Sequence, residues 1–378
     1  MANIAKSAPL RDDKFWLGSK IKNDGLDVGM YKALSHKGQT VSMHLEELKS
    51  EVEGKETPYL GLTFPEIYAL RKALKKENKP VPPTAFETCI KQAGIAAWGQ
   101  HTDMASKFFE YSDVSVLFPE FFSNQVYAGM LKNSIIGEFI LAENVVSAID
   151  FHKIYLDDVE ADRQLADVAP LQDLPVTKIR VSEQSVYLTK YGLYLLISWD
   201  DLKYQRLNLF GRALERIGQQ IDIDMSDEMV YILINGDGNS NTPGTTVQSI
   251  TSGSIVTQDV IAWATGLPTP YKCKKFIGKK ALLQEYYLVL ADFNNPMATF
   301  GFMGIDIPRA FEWDRSVVTT DYFIGVDNDY AVEKITTGAV NVQSEEIVRQ
   351  MGRGTAIYHD TSFSVYDKNA VQLFDETH

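Results

Sequence analysis

At 378 residues, with 45% hydrophobic and 23% charged side chains, the chain is too apolar to be disordered or collagen-like and long enough to bury two or three domain cores. No apolar run reaches the ~18–20 residues of a membrane-spanning helix, and the start, MANIAKSAPLRDDKFW, lacks the apolar stretch of a secretory signal, so a cytoplasmic protein is expected. The net charge of −13 is uneven: residues 1–100 hold fifteen Lys and Arg against twelve Asp and Glu, a balance of +3, and the remaining −16 opposes a direct grip on nucleic acid.

The first hundred residues read as a separate helical unit. HLEELKSEVEG, from His44 to Gly54, predicts a short amphipathic helix. A second is expected over Thr63–Pro83, with Pro65 in its first turn, Lys75, Lys76 and Lys79 at its negative end, and Pro80, Pro82 and Pro83 to stop it. A third follows from Thr84 to about Trp98. VLFPEFFSNQVYAGMLKNSIIGEFI, from Val116 to Ile140, then places a Pro-Glu ahead of a short helix.

From Asp157 to Trp199 the pattern is one long hairpin, with VAPLQDLPV, Val168 to Val176, as its exposed tip. A lone two-stranded hairpin is marginal in water, so it requires a face to pack on, and Leu171, Leu174 and Val176 are the apolar side chains of the tip that would meet either the chain's own domain or an adjacent subunit. The returning segment, Val186 to Leu202, is rich in Tyr, Leu and Ile and pivots on Gly192. Ser198, Asp200 and Asp201 close it and suit the positive end of the helix that follows.

That helix is the dominant feature, a rod of about nine turns. Leu207, Phe210, Leu214, Ile217, Ile221, Met225, Met229 and Ile232 step along it by three or four, so a single buried stripe is expected, with Leu207, Leu214, Ile217, Ile221, Met225 and Met229 as its core face. It ends abruptly at Asn235-Gly236-Asp237-Gly238. A polar, turn-rich stretch follows, then a helix over Gln258–Thr265 and a basic run, YKCKKFIGKK, from Tyr271 to Lys280, which is either a solvated charge run or a contact for phosphate or an acidic neighbour. Gly301–Trp313, Tyr322–Ile335 and Ile347–Phe374 are strand-like.

Little of this points to catalysis. The histidines, His36, His44, His101, His152, His359 and His378, show no HxxxH or HExxH spacing, and Cys89 and Cys273 lie far apart with no CxxC, so neither a metal site nor a disulfide is expected. Asp222, Asp224, Asp227 and Glu228 cluster on the polar side of the long helix, as a solvated face or as salt-bridge partners. Asn235 to Asn239 lacks the alternating acids and distal Glu of an EF-hand, and reads as a turn that ends the rod. No GxSxG, Walker or GxGxxG motif occurs, and no catalytic residue, cofactor or metal is predicted.

An aromatic strand with Lys190-Tyr191-Gly192, then Ile197-Ser198 and acids, a long amphipathic helix, and an Asn235-Gly236-Asp237-Gly238 end resembles the major capsid proteins of tailed bacteriophages, in order and pattern, over roughly the last two-thirds of the chain. The resemblance implies the α+β Hong Kong-type capsid fold: an N-terminal arm and accessory helical region (1–115), a first part of the peripheral (P) domain (116–156), an extended E-loop hairpin (157–199), the P-domain spine helix (200–240), an axial (A) domain (241–345), and a P-domain return strand with the C-terminus (346–378). It implies an icosahedral shell of pentamers and hexamers of this chain, enclosing double-stranded DNA without sequence-specific binding. It also implies a place in the virion after assembly in the host cytoplasm, with scaffolding, portal and decoration proteins as partners and no membrane. One member of the family joins its subunits by a Lys–Asn isopeptide bond. Lys178 and Lys190 lie in the corresponding region, and no such cross-link is expected here. An encapsulin-type nanocompartment shell and a soluble α+β enzyme are the alternatives.

Overall fold

A computed structural model describes residues 40–54, 56–99, 101–109, 117–146, 150–156, 179–238, 242, 245–292, 308–315, 322–338, 340–347, 349 and 351–376. In chain order the helices are α1 (Val41–Glu53), α2 (Phe64–Lys76), α3 (Ala85–Gln92), α4 (Phe118–Met130), α5 (Ile136–Phe139), α6 (Trp199–Tyr204), α7 (Leu207–Asn235), α8 (Thr257–Ala264) and α9 (Lys280–Asp292). The strands are β1 (Ile140–Val145), β2 (Asp150–Leu156), β3 (Ile179–Tyr187), β4 (Thr189–Ser198), β5 (Thr245–Gln248) and β6 (Lys275–Gly278). They continue with β7 (Arg309–Glu312), β8 (Tyr322–Val326), β9 (Val332–Thr336), β10 (Asn341–Ile347), β11 (Gly352–Val365) and β12 (Val371–Asp375). No described helix is long and apolar enough to cross a membrane.

Chain contacts divide the molecule into two units. The first comprises Met1–Ser134, Gly192–Asp222 and Ala339–His359. α1 and α3 begin at threonines, whose hydroxyls satisfy the orphan N–H groups of a first turn: Thr40 accepts from the Met43 N–H (3.3 Å), which starts α1 three residues earlier than expected. Thr84 accepts from the Glu87 N–H (3.1 Å) while Glu87 accepts from the Thr84 N–H (3.2 Å), a reciprocal capping box. The ends come early. α2 stops at Lys76, not Pro83, because Asn78 takes a left-handed φ of 54°, and α3 stops at Gln92, not Trp98, because Gly94 turns the chain at φ 73°.

The core of this unit is aromatic. Phe118 lies parallel to Phe210 at 6.1 Å, Phe122 meets Phe210 edge-on at 5.1 Å, and Phe108 packs against Phe118 and Phe121, both at 5.5 Å. Two glycines let α4 and the first part of α7 touch backbone to backbone: a Cβ on Gly129 would sit 2.1 Å from the Glu215 carbonyl oxygen, and one on Gly218 would sit 2.0 Å from that of Val126. Two carboxylates are buried among the helices. Glu46 accepts from the Ala85 N–H (2.5 Å), and Glu120 accepts from the Ser42 hydroxyl, its own carboxyl pushed up to about 7 by burial.

The second unit comprises Ile135–Tyr191, Ile223–Gly338 and Asp360–His378. One sheet has the order β5-β12-β8-β6-β7, with β12 parallel to β5 and antiparallel to β8. α8 and α9 share its core, where Trp263, Phe276, Tyr286, Phe323 and Phe374 are buried. α9 had no counterpart among the sequence expectations.

β9 bridges β1, parallel, and the second half of β11, antiparallel, through pairs such as Val145↔Thr336 and Val365↔Val332. Within the first unit, the first half of β11 pairs antiparallel with β10, from Asn341↔Tyr358 to Ile347↔Gly352. β2 and β3 form the two arms of the hairpin, in register from Asp150↔Tyr187 to Leu156↔Ile179 with one irregularity between His152 and Ile154, so the paired arms begin at Asp150, ahead of the expected Asp157.

The expected rod of nine turns is two helices. The N-terminal piece, α6, is capped by Ser198, which accepts from the Asp201 N–H at 3.0 Å, and it breaks at Gln205, whose backbone is extended. α7 then runs 29 residues.

Candidate functional site

β3 passes into β4 through Leu188, and the first residues of β4 are anchored by a single carboxylate of α7. Glu228 accepts hydrogen bonds from the Tyr191 hydroxyl, from Thr189 Oγ1 (3.4 Å) and, across on β11, from Ser362 Oγ (3.4 Å). Burial raises the Glu228 carboxyl above the usual range, and the three hydroxyl donors work against that rise by favouring the anion. Burial, then the Glu228 carboxylate, raise the Tyr191 phenol, so the proton between them stays on tyrosine. Beside them Lys190 Nζ lies 3.7 Å from Asp360 on β11. One helix residue therefore ties the base of the hairpin to the return strand.

The neighbouring acids of α7 do similar work. Asp227 accepts from Trp313 Nε1 (2.8 Å) and Arg315 Nε (3.0 Å), and Asp237, just past the helix, accepts from the Ser364 hydroxyl (2.9 Å) and the Val365 N–H (3.1 Å). Of the two sequence readings for this cluster, salt-bridge and hydrogen-bond partners describes Asp227 and Glu228, and Asp222 is itself buried. The middle of the basic run is likewise neutralised: Lys274 Nζ meets Asp327 (2.8 Å) and Asp329 (2.6 Å), and Lys275 Nζ meets Glu138 (2.8 Å).

These contacts position strands; they do not assemble a nucleophile with a base. The cysteines are buried, which pushes the Cys273 thiol up to about 12 and the Cys89 thiol up as well. Among the described residues no group of three or more His, Cys, Asp or Glu is placed to hold a metal ion.

Of the residues singled out from sequence, Leu171, Leu174, Val176 and Lys178 lie outside the described residues. On α7, Leu207, Leu214, Ile221, Met225 and Met229 are buried, and Ile217 is half-buried. Sequence reasoning missed a set of exposed apolar side chains: Leu193, Tyr194 and Leu196 on β4, each close to half exposed, and Tyr287 and Leu288 on α9. On β4, Tyr194 and Leu196 are alternate positions on one face of an unusually apolar strand, and Leu193 lies on the other. Gly192 precedes them because β4 lies close against β11 there: a Cβ would come 2.9 Å from that of Tyr358.

The sequence model of a family described as phage capsid protein matches residues 182–372, from within β3 into β12. No curated protein matches the chain. Among solved structures, a virus-like particle from Pyrococcus furiosus is similar at 9% identity and a TM-score of 0.47, covering 68% of this chain and 98% of that one. The structure titled for Microbacterium phage Oxtober96 is similar at 10% identity and TM-score 0.47, covering 64% and 91%. The holo-SrpI encapsulin complex from Synechococcus elongatus PCC 7942 is similar at 13% identity and TM-score 0.42, covering 63% and 85%. These likenesses are too distant to carry function over.

Proposed function

The chain belongs to the phage capsid protein family and is a major capsid protein of the Hong Kong-type α+β fold, and from that premise we propose how its parts are used. α7 serves as the spine of the P domain, β2 and β3 are the arms of the E-loop, and the sheet that contains β5 to β8 with α8 and α9 is the A domain. Residues 1–115 act as an N-terminal arm with an ordered helical region. Copies of the chain close into an icosahedral shell of pentamers and hexamers around double-stranded DNA. Its role is mechanical and needs no catalytic residue. Leu171, Leu174 and Val176 at the E-loop tip, and the exposed Leu193, Tyr194 and Leu196 of β4, pack on neighbouring copies, so each subunit's stability depends on assembly.

The observation that carries this reading is the extent of the family match, which takes in the whole of α7 and every described element from β4 to β11. Electron microscopy of the purified full-length chain, with sedimentation velocity, tests it. Closed shells or rings of capsomers are expected, and uniform monomers or dimers that persist with crowding agents overturn it. A nanocompartment shell shares the fold, and the contents discriminate: nuclease-protected DNA in shells made during infection supports the phage head, and a protein cargo without DNA supports the compartment.

A further inference from the structure

The chain carries two lysine runs. In the run from Tyr271 to Lys280, Lys274 and Lys275 are neutralised by Asp327, Asp329 and Glu138 of the same subunit, and Lys272, Lys279 and Lys280 have no such partner among the described residues. On α2, Lys72, Lys75 and Lys76 are exposed, and none has an ion-pair or hydrogen-bond partner among the described residues. Positions 75 and 76 lie three and four residues after 72 on the helix, so these three ammonium groups crowd one face and repel one another. Lys79 alone is answered locally, by Glu77 at 2.7 Å, with both side chains exposed.

This face is held on a fixed support. Arg71 grips Glu87 of α3 through two hydrogen bonds, 2.6 and 3.0 Å. The end of α2 is closed by the Asn78 N–H to the Lys75 carbonyl (3.2 Å) and the Lys79 N–H to the Leu74 carbonyl (2.9 Å), the bond pair of a Schellman motif. A helix dipole favours positive charge in the last turn, which accounts for Lys75 and Lys76 one at a time. It does not account for Lys72 a turn earlier, or for three like charges collected on one helix face with no acid paired to them.

We propose that the lysine face of α2 docks on the acidic surface of a second copy of this chain. Charge complementarity selects the occupant: residues 1–100 carry +3 and the rest of each copy −16, so a neighbouring subunit offers carboxylates wherever it is met. The same −16 repels DNA, which would have to approach three or four isolated lysines past an acidic body. The proposal rests on the shell reading and adds to it a contact that salt weakens.

The test uses full-length, nuclease-treated protein assembled from equal parts of light- and heavy-isotope subunits and joined with a zero-length carbodiimide, which links an amine to a carboxylate only in contact. Peptides of mixed isotope that join Lys72, Lys75 or Lys76 to Asp or Glu are expected in shells and not in unassembled subunits. In parallel, the K72E/K75E/K76E variant is expected to need roughly tenfold more protein to assemble at low salt, with the gap to wild type narrowing as salt screens the contact. If the wild type forms no shells, the shell reading itself falls. If wild-type shells form without mixed-isotope links at these lysines and the variant assembles at the same concentration, only the lysine contact falls. Links or protection that appear only when DNA is added also overturn it, and assign the face to the packaged genome.

Discussion

Along α7, the residues up to Asp222 meet α4 through glycine backbone and phenyl rings, whereas those after Ile223 meet strands and the segment just past β7 through carboxylates: Asp227 with Trp313 and Arg315, Glu228 with Thr189, Tyr191 and Ser362. The two modes differ in what they tolerate. Close backbone packing is insensitive to salt and pH but admits no added atom, because interiors are filled to crystal density. A carboxylate pin fixes direction, can be released by a proton and made again, and costs less to lose than a packed core. If the hairpin packs on neighbouring copies as proposed, a close-packed first half and a releasable second half divide the work of holding shape from the work of setting the hairpin.

The largest expected effect breaks the first half. Gly218→Leu drives a side chain into the Val126 carbonyl, where even a Cβ would lie at 2.0 Å, and should cost more than about 4 kcal/mol or abolish soluble protein, read by denaturant unfolding and yield.

Glu120, on α4, makes the packing around the first half respond to pH. Its folded-state carboxyl is raised from 4.5 to about 7, so the folded chain binds a proton that the unfolded chain has released across that window. Its contribution is therefore fully present below about pH 4.5 and lost as pH rises through about 7. Glu120→Gln keeps an acceptor for Ser42 without the charge, and should be about 2–4 kcal/mol more favourable relative to wild type at pH 8 than at pH 4.5. Parallel denaturation curves at the two pH values, with the same wild-type to variant difference, would sink this.

The second half gives smaller effects. Tyr191→Phe removes one donor from Glu228 and leaves Thr189 and Ser362 in place, with an expected loss of about 1–2 kcal/mol and faster hydrogen exchange in β3 and β4. Smallest is Glu143→Ala, which frees Lys334 from a surface pair of 2.8 Å and should cost about 0.5 kcal/mol, a loss that salt erases in the wild type.

The two halves were also unequally legible. The α7 stripe follows from a period of 3.6, and Leu207, Leu214, Ile221, Met225 and Met229 are buried; the glycines that let α4 approach were not seen, because a missing side chain leaves no mark in an apolar pattern. The partners of Asp227, Glu228 and Asp237 come from segments distant in sequence, and nothing local foretells them. α9 was hidden by its apolar run, LLQEYYLVLA, whose aromatic and branched residues suit a strand as well as a helix. Helix ends were misplaced where an asparagine or a glycine, and not a proline, took the left-handed turn.

β12 lies between β5 and β8, so the five-stranded sheet has a gap in its middle until residue 375 has left the ribosome. A partly synthesised subunit keeps the edges of β5 and β8 open and cannot present a finished surface to other copies. Order of synthesis thereby acts as a gate on order of assembly: β12 must be made before a copy is fit to join.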